Sequence, residues 1–259
     1  MADRIRLDGK VAVVTGAAGV IGTATIRLLA DRGARIVAVD RRENDLQTAI
    51  RDLPASAQAL AVTADVSDEG EVADYVGAAV EKFGTIDVFY NNAGVEGDVA
   101  PITKYSLAAF RRVIDVNVVG VFLGMKHVLP VMLRQNRGSI INTASIAGLI
   151  GSPDIAVYSA SKHAVIGLTR SAALECAGSE VRVNCVCPGL IDSRMLSAII
   201  EGRNPGNAPV PNERIVERIP ARRLGHASEV ASVVAFLASD EASYVSGSAY
   251  TVDGARTAG

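Results

Sequence analysis

Val11-Ala-Val-Val-Thr-Gly-Ala-Ala-Gly-Val-Ile-Gly22 begins as a run of β-branched and small apolar residues and ends in three glycines that lead into a segment of helical period. Strand, glycine turn and helix in that order make an anion cradle. Glycines at 16, 19 and 22 let the backbone turn tightly and approach a ligand, while the helix N-terminus supplies free N–H groups and a partial positive charge. Such a turn is a dinucleotide fingerprint only when a strand precedes it and a helix follows, and both conditions hold. Gly16, Gly19, Val20, Ile21 and Gly22 are therefore the expected pyrophosphate contacts. After the second apolar run, Ile36-Val-Ala-Val39, comes Asp40, whose carboxylate can accept hydrogen bonds from ribose hydroxyls. A carboxylate there repels the added charge of a 2′-phosphate, which favours NAD over NADP. Arg41 and Arg42 follow directly and offset part of that repulsion.

The same alternation continues along the chain. Strands are expected at Val11–Thr15, Ile36–Val39, Ala59–Thr63, Ile86–Tyr90, Ser139–Thr143, Val181–Val186 and Ser248–Val252, and helices near Ile21–Asp31, Asp68–Phe83, Leu107–Arg134, Val157–Cys176 and Ser228–Ala238. Nearly continuous Val, Ile and Ala in the strands means burial on both faces, as in a parallel sheet covered by helices. The expected fold is α/β, a doubly wound Rossmann-type parallel sheet of about seven strands in a single domain spanning residues 1–259. No linker or repeat divides it. The one irregular stretch, Leu190–Pro220, contains Asn204-Pro-Gly-Asn-Ala-Pro-Val-Pro-Asn212 and reads as a substrate lid.

Composition excludes several classes of function. Hydrophobic residues make up 49% of the 259 and charged residues 21%, ample for a core. A formal net charge of −2 and no long basic run argue against nucleic acid as a partner. The most apolar region, Val113–Leu133, is interrupted by Asp115, Asn117 and Lys126, which argues against a membrane span. The N-terminus lacks an export signal, and three cysteines, an odd number, suit a reducing cytoplasm. Cys185 and Cys187 alternate with Val186 and point to one face of a strand, as core residues. His127, His163 and His226 have no ligand spacing, so no metal is expected.

The remaining motifs sit where apolar runs end. Asp65 and Val66, after the third run, are placed to meet the adenine, although Asp65 could equally cap the helix that begins near Ser67. Asn91-Asn-Ala-Gly94 follows the fourth run, so Asn92, Ala93 and Gly94 can approach a cofactor or hold an Asx turn. In Tyr158-Ser-Ala-Ser-Lys162 the tyrosine and lysine are four apart at the start of a helix and share a face. A lysine cation there favours the phenolate and should move the tyrosine toward neutral pH, where it can serve as a base. Ser145 ends the fifth run and Asn117 lies in the long helix before it.

The ordered set of glycine turn, Asp40, Asn91-Asn-Ala-Gly94, Asn117, Ser145, Tyr158 with Lys162, and Pro188-Gly189 resembles the short-chain dehydrogenase/reductase family, compact single-domain type, over nearly the whole chain. By that resemblance Tyr158 is the general acid/base, Ser145 holds the substrate oxygen, Lys162 binds the nicotinamide ribose, and Asn117 positions a water in a proton relay. Pro188, Gly189, Ile191 and Ser193 resemble the loop on the nicotinamide side of the cofactor. The resemblance also implies a homotetramer, in keeping with the apolar Leu107–Arg134 and Val157–Cys176 helices. Two positions depart from the family pattern: Val20 stands where a glycine is usual, and so does Ala255.

Apolar Val95, Leu149, Ile150, Leu190 and Leu196 are candidate pocket residues and suit a hydrophobic alcohol or ketone. Several stretches are similar to bacterial reductases of cyclic ketones. The expected activity is hydride transfer between NAD(H) and a secondary alcohol or ketone. A non-catalytic NAD(H) sensor and an epimerase or dehydratase using bound NAD are the alternatives.

Overall fold

The computed structural model describes residues 5–206 and 212–259. Seven strands form one sheet: β1 (Val11–Thr15), β2 (Arg35–Asp40), β3 (Ala59–Thr63), β4 (Val88–Asn91), β5 (Gly138–Thr143), β6 (Val181–Pro188) and β7 (Ala249–Val252). Their order is β3-β2-β1-β4-β5-β6-β7, with every pairing parallel. Period-two alternation divides the strand residues between two cores. Val11, Val13, Val37, Val39, Phe89, Ile140 and Val183 face one side, where they meet α3 (Glu69–Phe83), α5 (Gly120–Arg134) and α6 (Ala156–Glu175). Ala12, Val14, Ile36, Ala38, Val88, Tyr90 and Ile141 face the other, against α1 (Val20–Asp31), α2 (Glu43–Arg51) and α9 (Ala227–Ala238). Each buried Val or Ile contributes on the order of 1.5–3 kcal/mol, so both faces of the sheet are strongly held. Cys185 and Cys187 join the first core, as their spacing implies.

After β3 the chain crosses to the other side of β1 and lays down β4. The loops leaving β1 and β4 therefore diverge, and a crevice opens at their carboxyl ends.

Two expectations need correction. The stretch read as one helix, Leu107–Arg134, is α4 (Leu107–Ile114), a single π turn at Asp115–Val119, and α5. The stretch read as irregular, Leu190–Pro220, contains α7 (Arg194–Arg203) and α8 (Asn212–Val216). Ser193 starts α7 by accepting a hydrogen bond from the Leu196 amide. The turn-forming residues that suggested a loop lie beyond Arg203, and positions 207–211 fall outside the described residues.

Candidate active site

A cavity of about 1410 Å³ runs along the carboxyl ends of the strands, touching residues just after β1, β2, β3, β4, β5 and β6. Its first wall is the glycine turn. Gly16 takes φ +62°, a conformation that side chains disfavour. At Gly22 an added Cβ would fall onto the Gly16 carbonyl oxygen, so the turn can fold back on its own helix only with glycine there. Gly19 is the N-cap of α1 with ordinary extended geometry, φ −79°. Val20 begins the helix, is 48% exposed and borders the cavity beside Ile21. No residue in this turn other than Gly16 needs a positive φ, so valine at 20 leaves the turn intact.

Asp40 ends β2 almost buried, at 8% exposure. One carboxylate oxygen accepts from the Ala18 amide at 3.1 Å and the other from the Arg42 amide at 3.1 Å, which ties the acid to the glycine turn. The Arg42 guanidinium is engaged by Asp45 at 2.8 Å, by the Ala18 carbonyl at 3.3 Å and by Asp40 at 3.6 Å. Arg41, Asp65 and Val66 border the same end of the cavity. Asp65 accepts from both the amide and the hydroxyl of Ser67, at 2.9 and 2.6 Å, and these bonds hold its carboxyl below the usual range. It does not cap α3; that cap is Asp68, which accepts from the Glu71 amide.

The loop after β4 is fastened to the loop after β1. The Thr15 hydroxyl accepts from the amides of Asn92 and Ala93 at 2.9 and 3.1 Å, and the Asn92 side chain donates to the Thr15 and Gly16 carbonyls. Asn117, fully buried on the π turn, accepts from the Val95 amide at 2.8 Å and donates to the Val95 carbonyl at 2.9 Å and the Ser161 hydroxyl at 3.1 Å. A Cβ at Gly94 would lie 3.3 Å from Asn117 Oδ1 and 3.4 Å from Lys162 Nζ, so glycine keeps a polar niche open between them.

Tyr158 and Lys162 are one turn apart near the start of α6 and both are buried, with Nζ 5.6 Å from the phenol ring centre. Lys162 Nζ donates to the Thr143 carbonyl at 2.7 Å. Burial pushes its pKa down to about 8. Burial pushes Tyr158 up to about 12; a hydrogen bond with Ser145 acts against this, and the nearby Glu96 carboxylate adds to it. The expectation that Lys162 lowers the phenol is not met, because the desolvation of a nearly inaccessible hydroxyl outweighs other influences. Ser145 is held in place as the start of a short 3₁₀ turn, accepting from the Ala147 amide at 3.1 Å.

Pro188, Gly189, Leu190, Ile191 and Ser193 line the cavity across from the glycine turn, and Val95, Ile150 and Leu196 line its far end. Leu149 does not reach it: that side chain is 38% exposed and outside the wall. Contacts that the sequence reading missed include Glu96, which pairs with Arg194 at 3.0 Å and so ties the β4 loop to α7. Met195 and Ile199 of α7 pack with Val99 against Ala147, Ile155 and Tyr158.

Residues 16–256 match the family model described as enoyl-(acyl carrier protein) reductase. Levodione reductase of Leifsonia aquatica is 39% identical over 98% of this chain and 96% of its own. The cis-4-hydroxycyclohexanecarboxylate dehydrogenase of Sinomonas cyclohexanicum is 43% identical over 96% of this chain and 97% of its own. Among solved structures, levodione reductase superposes with a TM-score of 0.94 at 39% identity over 98% of this chain and 99% of that one. NAD⁺-bound xylitol dehydrogenase gives 0.91 at 38% identity over 95% and 98%, and an actinorhodin polyketide ketoreductase variant with NADPH gives 0.91 at 35% identity over 95% and 97%.

Proposed function

Because the chain belongs to the short-chain dehydrogenase/reductase family, whose members here are oxidoreductases of CH–OH groups, we propose that it interconverts a hydrophobic or cyclic secondary alcohol and its ketone using NAD(H), with Tyr158 as general acid/base. The observation that carries this reading is the convergence of Ser145, Tyr158 and Lys162 on a cavity whose other end holds Asp40. A nicotinamide cofactor supplies the hydride acceptor or donor when bound. The residues present fit that group: the glycine turn and the N-terminus of α1 suit a pyrophosphate, and the niche beside Gly94 offers Lys162 Nζ to a ribose. Asp40 would accept from the adenosine ribose and repel a 2′-phosphate, and of the two arginines there Arg42 is already engaged by two carboxylates, which leaves Arg41 as the cation that offsets the repulsion.

Ser145 donates a hydrogen bond to the substrate oxygen, and the Tyr158 hydroxyl gives up or takes the proton at that same oxygen. Lys162 holds the ribose, while Asn117 fixes Val95 and with it the loop beneath the substrate. The described residues of the segment 190–220, on α7 and α8, border the cavity and serve as the substrate lid. Phe110, Phe122 and Leu133 leave apolar surface exposed on α4 and α5, which suits burial in a homotetramer.

The test is a panel of secondary alcohols run with NAD⁺ and NADP⁺ in parallel, following the reduced cofactor by absorbance. Reduction of NAD⁺ well above that of NADP⁺ is expected. Cofactor binding without turnover of any alcohol or ketone would favour a sensor role, and equal use of both cofactors would overturn the role given to Asp40.

A further inference from the structure

Beyond Tyr158 the cavity changes from apolar to basic. The wall beside the phenol is built by Met195 and Ile199 on α7, which pack toward Ala147 and Ile155. Arg203 comes four residues after Ile199 on the same helix, about 6 Å further along its axis. It lines the same cavity. Its Nη2 donates to the Ser152 hydroxyl and the Pro153 carbonyl, both at 2.8 Å, which uses both hydrogens on that nitrogen; those on Nε and Nη1 meet no acceptor among the described residues. Two charges act on Arg203 from nearby: the Asp154 carboxylate, which favours the cation without forming an ion pair, and the Arg218 guanidinium, which opposes it. Arg214 and Arg256 border the cavity as well.

Charge pairing separates these arginines from Arg42 and Arg194, which border the same cavity and are held by carboxylates. Arg194, at the other end of α7, is neutralised by Glu96. Arg203, Arg214, Arg218 and Arg256 form no ion pair among the described residues. The chain as a whole is slightly acidic, with a net charge of −2, so the cluster is a local departure. Like charges gathered on a concave wall repel one another and focus a positive potential into it, and an anion bound there removes the repulsion.

We infer that the alcohol or ketone carries a carboxylate or comparable anionic group, held by Arg203 and Arg218 across an apolar spacer from the carbon that meets Tyr158. The inference rests on the dehydrogenase reading and narrows its substrate class. A guanidinium suits this task because it offers paired donors in the plane of a carboxylate.

The test is a binding measurement that does not depend on turnover. Calorimetric titration of the NAD⁺-loaded enzyme with 3-cyclohexylpropanoate and with 3-cyclohexylpropanamide compares an acid and a neutral isostere. At low salt the acid should bind at least tenfold more tightly, and the margin should shrink as salt is raised. Arg218→Gln should remove most of that margin; its side chain is exposed and makes no hydrogen bond among the described residues, so folding is not at issue. Arg203→Gln should do the same, and Arg203→Lys should restore part of it. Equal affinities for acid and amide in the parent protein would overturn the inference, as would a preference that survives both glutamine variants. Failure of the alcohol panel with this binding preference intact would instead count against the dehydrogenase reading alone.

Discussion

Replacing Tyr158 by Phe keeps the ring that packs near Met195 and Ile199 and removes only the hydroxyl. A positioned acid/base contributes about 10²–10⁴-fold, so kcat should fall by that factor while NAD⁺ affinity and melting temperature stay near those of the parent. A loss of only a few-fold in steady-state assays would sink the proton-transfer role. The pH at which this group works follows from its surroundings. Burial first, and Glu96 second, raise the phenol pKa, so alcohol oxidation, which needs the phenolate, should climb through the alkaline range. Ketone reduction, which needs the phenol, should be fastest at neutral pH or below. Glu96→Gln removes a negative charge that opposes ionisation, so the alkaline limb of kcat/KM for oxidation should move to lower pH; an unmoved limb would exclude that influence. The Tyr158–Lys162 pair is legible in sequence because spacing four on a helix fixes a shared face. Its electrostatics are not, because they depend on how deeply residues distant in sequence bury the phenol, and on a backbone acceptor, the Thr143 carbonyl, that has no residue signature.

At the scale of elements, the π turn at Asp115–Val119 is what brings Asn117 to bear on Val95. A π turn widens the helix locally and often marks a functional position. Asn117→Ala would leave the Val95 N–H and C=O without their partner, each at about 1–3 kcal/mol if it stays dry, and should lower the urea midpoint accordingly. An unchanged midpoint would mean that water replaces the amide. The sequence hides this turn because Leu107–Arg134 keeps its apolar stripe through it, so a helix-period reading runs on without a break. The strands were legible for the opposite reason: short runs of Val, Ile and Ala bounded by Gly, Asp and Asn can hardly be anything else. The helix α7 was obscured by the turn-forming residues that follow Arg203, although Arg194-Met-Leu-Ser-Ala-Ile-Ile-Glu201 has good helix formers behind a serine cap. The glycine turn illustrates a finer limit. Spacing flagged Val20 as a departure, but only the structure locates the demanding positions, Gly16 by its backbone angle and Gly22 by its close approach to the Gly16 carbonyl.

For the whole molecule, Phe110, Phe122 and Leu133 are exposed on a chain whose other large apolar groups mostly lie inside. Light scattering behind size-exclusion chromatography should give the mass of four 26.9 kDa chains. Phe122→Lys should shift that mass downward, and a monomeric parent would refute the assembly. The strand order carries another consequence. Residues bordering the cavity come from β1, β2 and β3 on one side of the crossover and from β4, β5 and β6 on the other. A dinucleotide lying along it would act as a cross-brace, touching the glycine turn and Asp40 from one half of the sheet and Lys162 from the other. Its binding energy would then oppose the separation of the halves, so the ligand should be a conditional part of the fold's stability. At a hundredfold excess over Kd it should add about 2.7 kcal/mol and raise the melting temperature by roughly 5–10 °C, with both halves still melting in one transition. Such a protein would be most open to proteolysis when its cofactor pool is depleted, which couples its lifetime to the same molecule that its chemistry consumes.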